Sequence, residues 1–164
     1  MNILLTFIPW ILFWAFLSAK FLVTSIIAGF IAAVIITLID VFRGKKTKIL
    51  QLGTLFFFAS ILAILFISQS FWIMKWVSII GKIVLAFIVL ISILIKNPFT
   101  LQYSKETAPK ERWEEPMFIH ANYVISWAWF FAFMVMIVIP LYLEKIGINL
   151  TILLNWLISI VCFV

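Results

Sequence analysis

Apolar residues run through this chain in long blocks, separated by short clusters of basic and turn-forming residues. The blocks cover about 3–19, 21–42, 49–68, 72–95, 117–141 and 147–164. A helix needs about 20 apolar residues to cross a hydrocarbon core roughly 30 Å thick. The first block is short and contains Pro9, so it is expected to cross obliquely or to enter only partway. Each span must be helical, because unpaired backbone groups find no water in lipid. The pattern predicts an all-α, polytopic transmembrane helix bundle of about six spans, forming one domain over residues 1–164, with 96–118 as the one substantial polar stretch.

Composition agrees. The chain is 66% hydrophobic and 11% charged, with a mean hydropathy of +1.28, whereas a soluble domain carries roughly 25% charged residues. The net charge of +6 does not point to nucleic acid, because the basic residues punctuate apolar runs instead of forming a stripe among exposed aromatics. Their placement reads as membrane orientation. Arg43, Lys45, Lys46 and Lys48 follow span two, and Lys96, Lys105, Lys110 and Arg112 follow span four; only Lys20, Lys75 and Lys145 fall on the other side. The positive-inside rule then places both termini in the cytoplasm. If the first segment is re-entrant, the N-terminus moves outside and the later assignments stand. A cleavable signal peptide fits poorly, since no basic residue precedes the first apolar stretch and Leu17 is large for a cut at Ala19. The single cysteine, Cys162, excludes an intramolecular disulfide and a multi-cysteine metal site.

A few polar and small residues stand out against the apolar background. Lys82 lies near the middle of span four, where an ammonium is costly and is a functional candidate by default. Its long stem also allows the charge to snorkel toward the outer face, and Lys75 two turns earlier shares its side of the helix. His120 and Asn122 open span five: a histidine there can shuttle protons, and an asparagine can hydrogen-bond across helices. Asp40, followed by Arg43, reads as a helix-end charge. Ser25, Gly29 and Ala33 recur every four residues in span two, a small-residue face that admits another helix backbone, from this chain or a second copy. Trp72, Trp76, Trp127 and Trp129 read as headgroup anchors.

Within 96–118, Pro98, Pro109 and Pro116 divide the chain, and four basic residues balance Glu106, Glu111, Glu114 and Glu115. Trp113, Met117 and Phe118 suit an interfacial segment lying on the cytoplasmic surface. Tyr103 and Trp113 mark it alternatively as a docking surface. Glu114, Glu115 and His120 combine carboxylate with imidazole, but Pro116 breaks the helix that would align them as metal ligands. No phosphate loop, catalytic triad or paired intramembrane carboxylate is present in the sequence, and it calls for no cofactor, metal or catalytic residue.

Several short patterns carry a likeness: Phe7-Ile8-Pro9 followed by Phe13, Trp14 and Phe16; the basic link after span two; Phe71, Lys75 and Trp76; Lys96-Asn97-Pro98; and Trp113, Asn122, Trp129, Phe130 and Phe131. In these the chain resembles the intracellular septation protein A family, small bacterial inner-membrane proteins linked to cell division and envelope maintenance. The resemblance implies a non-enzymatic interaction or scaffold protein of the inner membrane, whose partners are membrane lipid, envelope or division proteins, and a second copy of itself. Two other readings follow from the residues: a small transporter or channel with Lys82 on an anionic route, and a membrane enzyme acting on lipid at the cytoplasmic face through His120 and its neighbouring glutamates.

Overall fold

The structure is a computed structural model that describes residues 3–17, 21–68 and 71–145. These residues form α1 (Ile3–Thr6), α2 (Ile8–Phe16), α3 (Leu22–Phe42), α4 (Ile49–Ser68), α5 (Phe71–Leu94), α6 (Phe99–Ser104), a 3₁₀ turn (Lys110–Arg112) and α7 (Pro116–Lys145). Four of them, α3, α4, α5 and α7, are long and apolar enough to cross a membrane. The predicted span 147–164, Cys162, Lys20 and the Ala19 site lie outside the described residues, as do the side chains of Trp72 and Lys75.

The first segment, expected to cross obliquely or to enter only partway, is broken into two helices. Pro9 has no N–H to give to the preceding turn, and the chain kinks at Phe7, whose N–H reaches only Leu4 O at 3.1 Å. Two short helices result, of 4 and 9 residues. At 1.5 Å per residue the longer rises roughly 13 Å, well short of a bilayer core. Its aromatic side is used inward instead. Phe7, Trp10 and Phe13 are fully buried. The Trp10 ring stacks on Phe57 at 4.9 Å between centroids, and its indole N–H donates to Thr54 Oγ1 at 3.0 Å. Phe7 stacks on Trp129 of α7 at 5.0 Å. The segment is a wedge between the long helices, and Trp129 is one of its seats instead of a headgroup anchor. Trp127, by contrast, is exposed on α7 and stacks along it on Phe131.

The small-residue face of α3 explains how the wedge fits. Ser25, Gly29 and Ala33 are all buried. A Cβ added at Gly29 would lie 3.1 Å from the backbone oxygen of Pro9 and 2.6 Å from the Phe58 ring. At Gly29 the face is therefore occupied by Phe58 of α4 together with the chain's own first segment. Gly29→Ala is expected to destabilise the bundle by about 1–3 kcal/mol, the range for overpacked cores, read as a lower unfolding midpoint in detergent; an unchanged midpoint would contradict this packing.

Two helix ends set up the site described next. After α3, Gly44 takes φ 66°, the Gly44 N–H bonds Val41 O and the Lys45 N–H bonds Asp40 O at 2.9 Å each. This paired closure of the last carbonyls in a left-handed turn is a Schellman cap. It sends the chain back toward α3. α5 ends the same way, with Lys96 at φ 58° and the Asn97 N–H on Ser92 O at 3.1 Å. Pro98 then prevents the helix from resuming.

The stretch expected to lie on the bilayer is divided. Its first part, α6, docks into the bundle, with Phe99, Thr100, Leu101 and Tyr103 buried. Most of 105–117 is exposed or half-buried.

Candidate functional site

The groups that most demand explanation are charges inside the bundle, and they gather where α3 ends and α4 begins. The cap at Gly44 brings Lys48 back beside Asp40. Asp40 is fully buried and accepts from Lys48 Nζ at 3.0 Å and from Gln51 Nε2 at 2.7 Å, both on Oδ2. The Gln51 side chain also accepts the Lys48 backbone N–H at 3.0 Å. That contact is the return half of a capping box at the start of α4. Asp40, read from the sequence as a helix-end charge followed by Arg43, lies in the last turn of α3 and has Lys48 as its partner. The turn carries Arg43 outward and delivers Lys48 instead.

From Lys48 the network continues into the α6 region. Its ammonium lies 2.6 Å from Glu106 Oε1 and 4.8 Å from the centre of the Tyr103 ring. Lys45 meets the other Glu106 oxygen at 2.6 Å, nearer the surface. Partial burial acts to raise the Glu106 carboxyl, but the hydrogen bonds from Lys45 and Lys48 outweigh it and hold it at about 2. For Lys45 the bond to Glu106 comes first among the causes that raise its pKa above the ordinary amine value. Burial raises the Tyr103 hydroxyl. Glu106 therefore stabilises the fold fully above the ordinary carboxyl value of 4.5, and that contribution fades as pH falls toward about 2. Acid unfolding is expected to set in at lower pH for the native chain than for a variant with both Lys45 and Lys48 changed to Gln, as followed by circular dichroism.

A second polar cluster ties α6 to α7. Asn122 Oδ1 accepts from Ser104 Oγ at 2.7 Å, and Asn122 Nδ2 donates to Phe118 O at 2.8 Å. Thr100 donates to the Asn122 carbonyl and shares a bond with Ser126 Oγ, each 2.8 Å. Gln102 accepts the Ile49 N–H at 3.1 Å and so caps α4 from across the gap. Through these contacts, α6 closes the basic end of the bundle, held on one side by Lys48 and on the other by Asn122.

The remaining candidates separate. Asn122 is buried, and its role is to join two helices. His120 is exposed two residues earlier, roughly 200° around the helix. Glu114 and Glu115 are exposed, and no group of three metal-ligating side chains lies together among the described residues. Tyr103 is 4% exposed, so its ring belongs to the ion network and not to a docking surface. Trp113 is half-buried and folds back on its own segment, its indole N–H on Ala108 O at 3.2 Å and Lys105 Nζ 5.7 Å from its ring. Lys82 is 2% exposed. It is enclosed by the bundle at mid-span instead of reaching for the outer surface.

Sequence reasoning missed Lys48, Gln51, Thr100, Ser104 and Ser126. Their signal was faint: single polar residues next to span ends, of a kind any connector carries. Gly44 was the best clue, since a glycine just past a helix end commonly marks a chain reversal. In comparison with known proteins, the chain matches no family model, no curated protein and no solved structure.

Proposed function

We propose that this chain is a non-enzymatic, multi-pass protein of the bacterial inner membrane that works by binding other envelope components, in cell division and envelope maintenance. In this reading the first segment and 147–164 complete a six-segment layout, and the basic end faces the cytoplasm with both termini. The carrying observation is where the chain's chemistry lies. The interior charges of the basic end neutralise one another, and aromatic rings fill the space around α2. The surface there still presents Lys110, Glu111, Arg112, Glu114, Glu115 and His120, all exposed. Such a surface suits recognition of a partner, while a packed, self-compensated interior suits neither a reaction cleft nor a pore. The asymmetric distribution of basic residues supports the orientation.

Crosslinking in native membranes tests the reading. Division or wall-synthesis proteins should be recovered with the native chain, and lost when Lys110, Glu111, Arg112, Glu114 and Glu115 are replaced together by Ser. Recovery of the chain with lipid alone would contradict it.

A second reading keeps one observation in its favour, the enclosure of Lys82 at mid-span. In a transporter or channel, that ammonium would sit on an anionic route. Lys82→Met should then abolish anion flux in liposomes, and full flux in the variant would remove the residue from any such route.

A further inference from the structure

The four basic residues after α3 do not share one task. Lys45 and Lys48 turn inward onto Glu106 and Asp40. Arg43 and Lys46 are exposed, and neither forms an ion pair with a described residue. The Gly44 cap turns the backbone just after Arg43 and leaves it at the end of α3, while Lys46 stands exposed in the link between the two inward lysines. Beneath Arg43 runs an apolar stripe of α3: Ile31, Ile35, Leu38 and Phe42, all exposed, with Phe42 at 86%. These positions recur at helical spacing and share one face. From Ile31 to Phe42 they rise roughly 16 Å, about half of a 30 Å hydrocarbon core. An acyl chain of one leaflet has that length, and a phosphate attached to it would arrive at the level of Arg43, the C-cap of α3, with Lys46 three residues on in the exposed link.

We infer that Arg43, Lys46 and the Ile31–Phe42 stripe form a binding site for an anionic phospholipid. The guanidinium and the ammonium hold the headgroup phosphate, and the stripe receives an acyl chain. Basic residues at the end of a span are suited to this by charge, each contributing about fivefold in affinity (about 1 kcal/mol) near an anionic surface. The inward pair adds nothing, since its charge is already matched by Asp40 and Glu106. The proposal holds for whichever leaflet this end of the bundle faces, and does not rest on the interaction reading above.

The test is lipid selectivity of the full chain in phosphatidylcholine bilayers, measured with spin-labelled phosphatidylglycerol against spin-labelled phosphatidylcholine. The native chain should prefer phosphatidylglycerol by tenfold or more. Arg43→Gln with Lys46→Gln should bring the preference close to unity while the helical circular dichroism is kept. Lys110→Gln with Arg112→Gln, the same loss of charge elsewhere on this end, should leave it intact. Soluble glycerophosphate at the same concentration should not displace the lipid. An undiminished preference in the first double variant, an equal loss in the second, or displacement by glycerophosphate would each overturn the site.

Discussion

Trp10→Ala is expected to produce one of the two largest losses of stability among single substitutions in this chain, about 3–5 kcal/mol. The ring is fully buried and stacks on Phe57, with Phe58, Phe13 and Trp14 packed around it. Truncation opens a cavity at the junction of α2, α4 and α5, where a Cβ at Gly81 would already stand 3.1 Å from the ring. It also leaves Thr54 Oγ1 without its donor. Lipid does not reach the space, because the Trp10 side of α2 is buried against the bundle while Ile11 and Phe16 face outward. Were the first segment a lipid-facing span, the same change would expose alanine to acyl chains at small cost. Thermal unfolding in detergent separates the two, and Trp10→Phe, which keeps most of the packing and loses the hydrogen bond, should fall between native and alanine.

The ion network yields the second large effect, and it is asymmetric. Lys48→Met removes the one ammonium within bonding distance of Asp40 among the described residues, leaving a fully buried carboxylate with Gln51 alone. Breaking a buried pair from one side costs about 3–5 kcal/mol. Asp40→Leu should cost less, because Lys48 keeps Glu106 at 2.6 Å. The double variant Asp40→Leu with Lys48→Met removes the buried charges together, and is expected to be more stable than Lys48→Met alone, since matched apolar replacement of a buried pair is often neutral or better. Equal losses in both single variants, added in the double, would show that the two side chains do not share an interior site.

The long helices were legible because a run of about 20 apolar residues has one solution in a bilayer. The place of α2 was not, because Trp10 and Phe13 look the same in sequence whether they face lipid or protein. Only the short run and Pro9 hinted at something other than a span. Ser25, Gly29 and Ala33 read in sequence as a small-residue face, while what lies against it depends on Pro9 and Phe58 reaching Gly29. Asp40 was visible as an acidic residue in an apolar run, but its partner follows from the turn at Gly44, which brings together residues eight apart. Lys82 shows the same limit: its depth can be counted along the helix, and its enclosure depends on the neighbouring helices. The sequence placed 99–104 within the polar stretch expected to lie on the membrane surface. Ser92, Asn122, Ser126 and Gln102 supply the hydrogen bonds that let α6 go inside instead.

The arrangement of the basic end rests on α6 being part of the bundle, and hydrogen–deuterium exchange of 99–104 in liposomes tests that most directly. The account predicts protection of these backbone amides close to that of the adjoining end of α5, and its loss when Asn122→Ala and Glu106→Gln are combined. Exchange in the native chain as fast as that of 105–112 would mean that the segment lies free on the membrane surface, and would contradict the closed, ion-paired end described here.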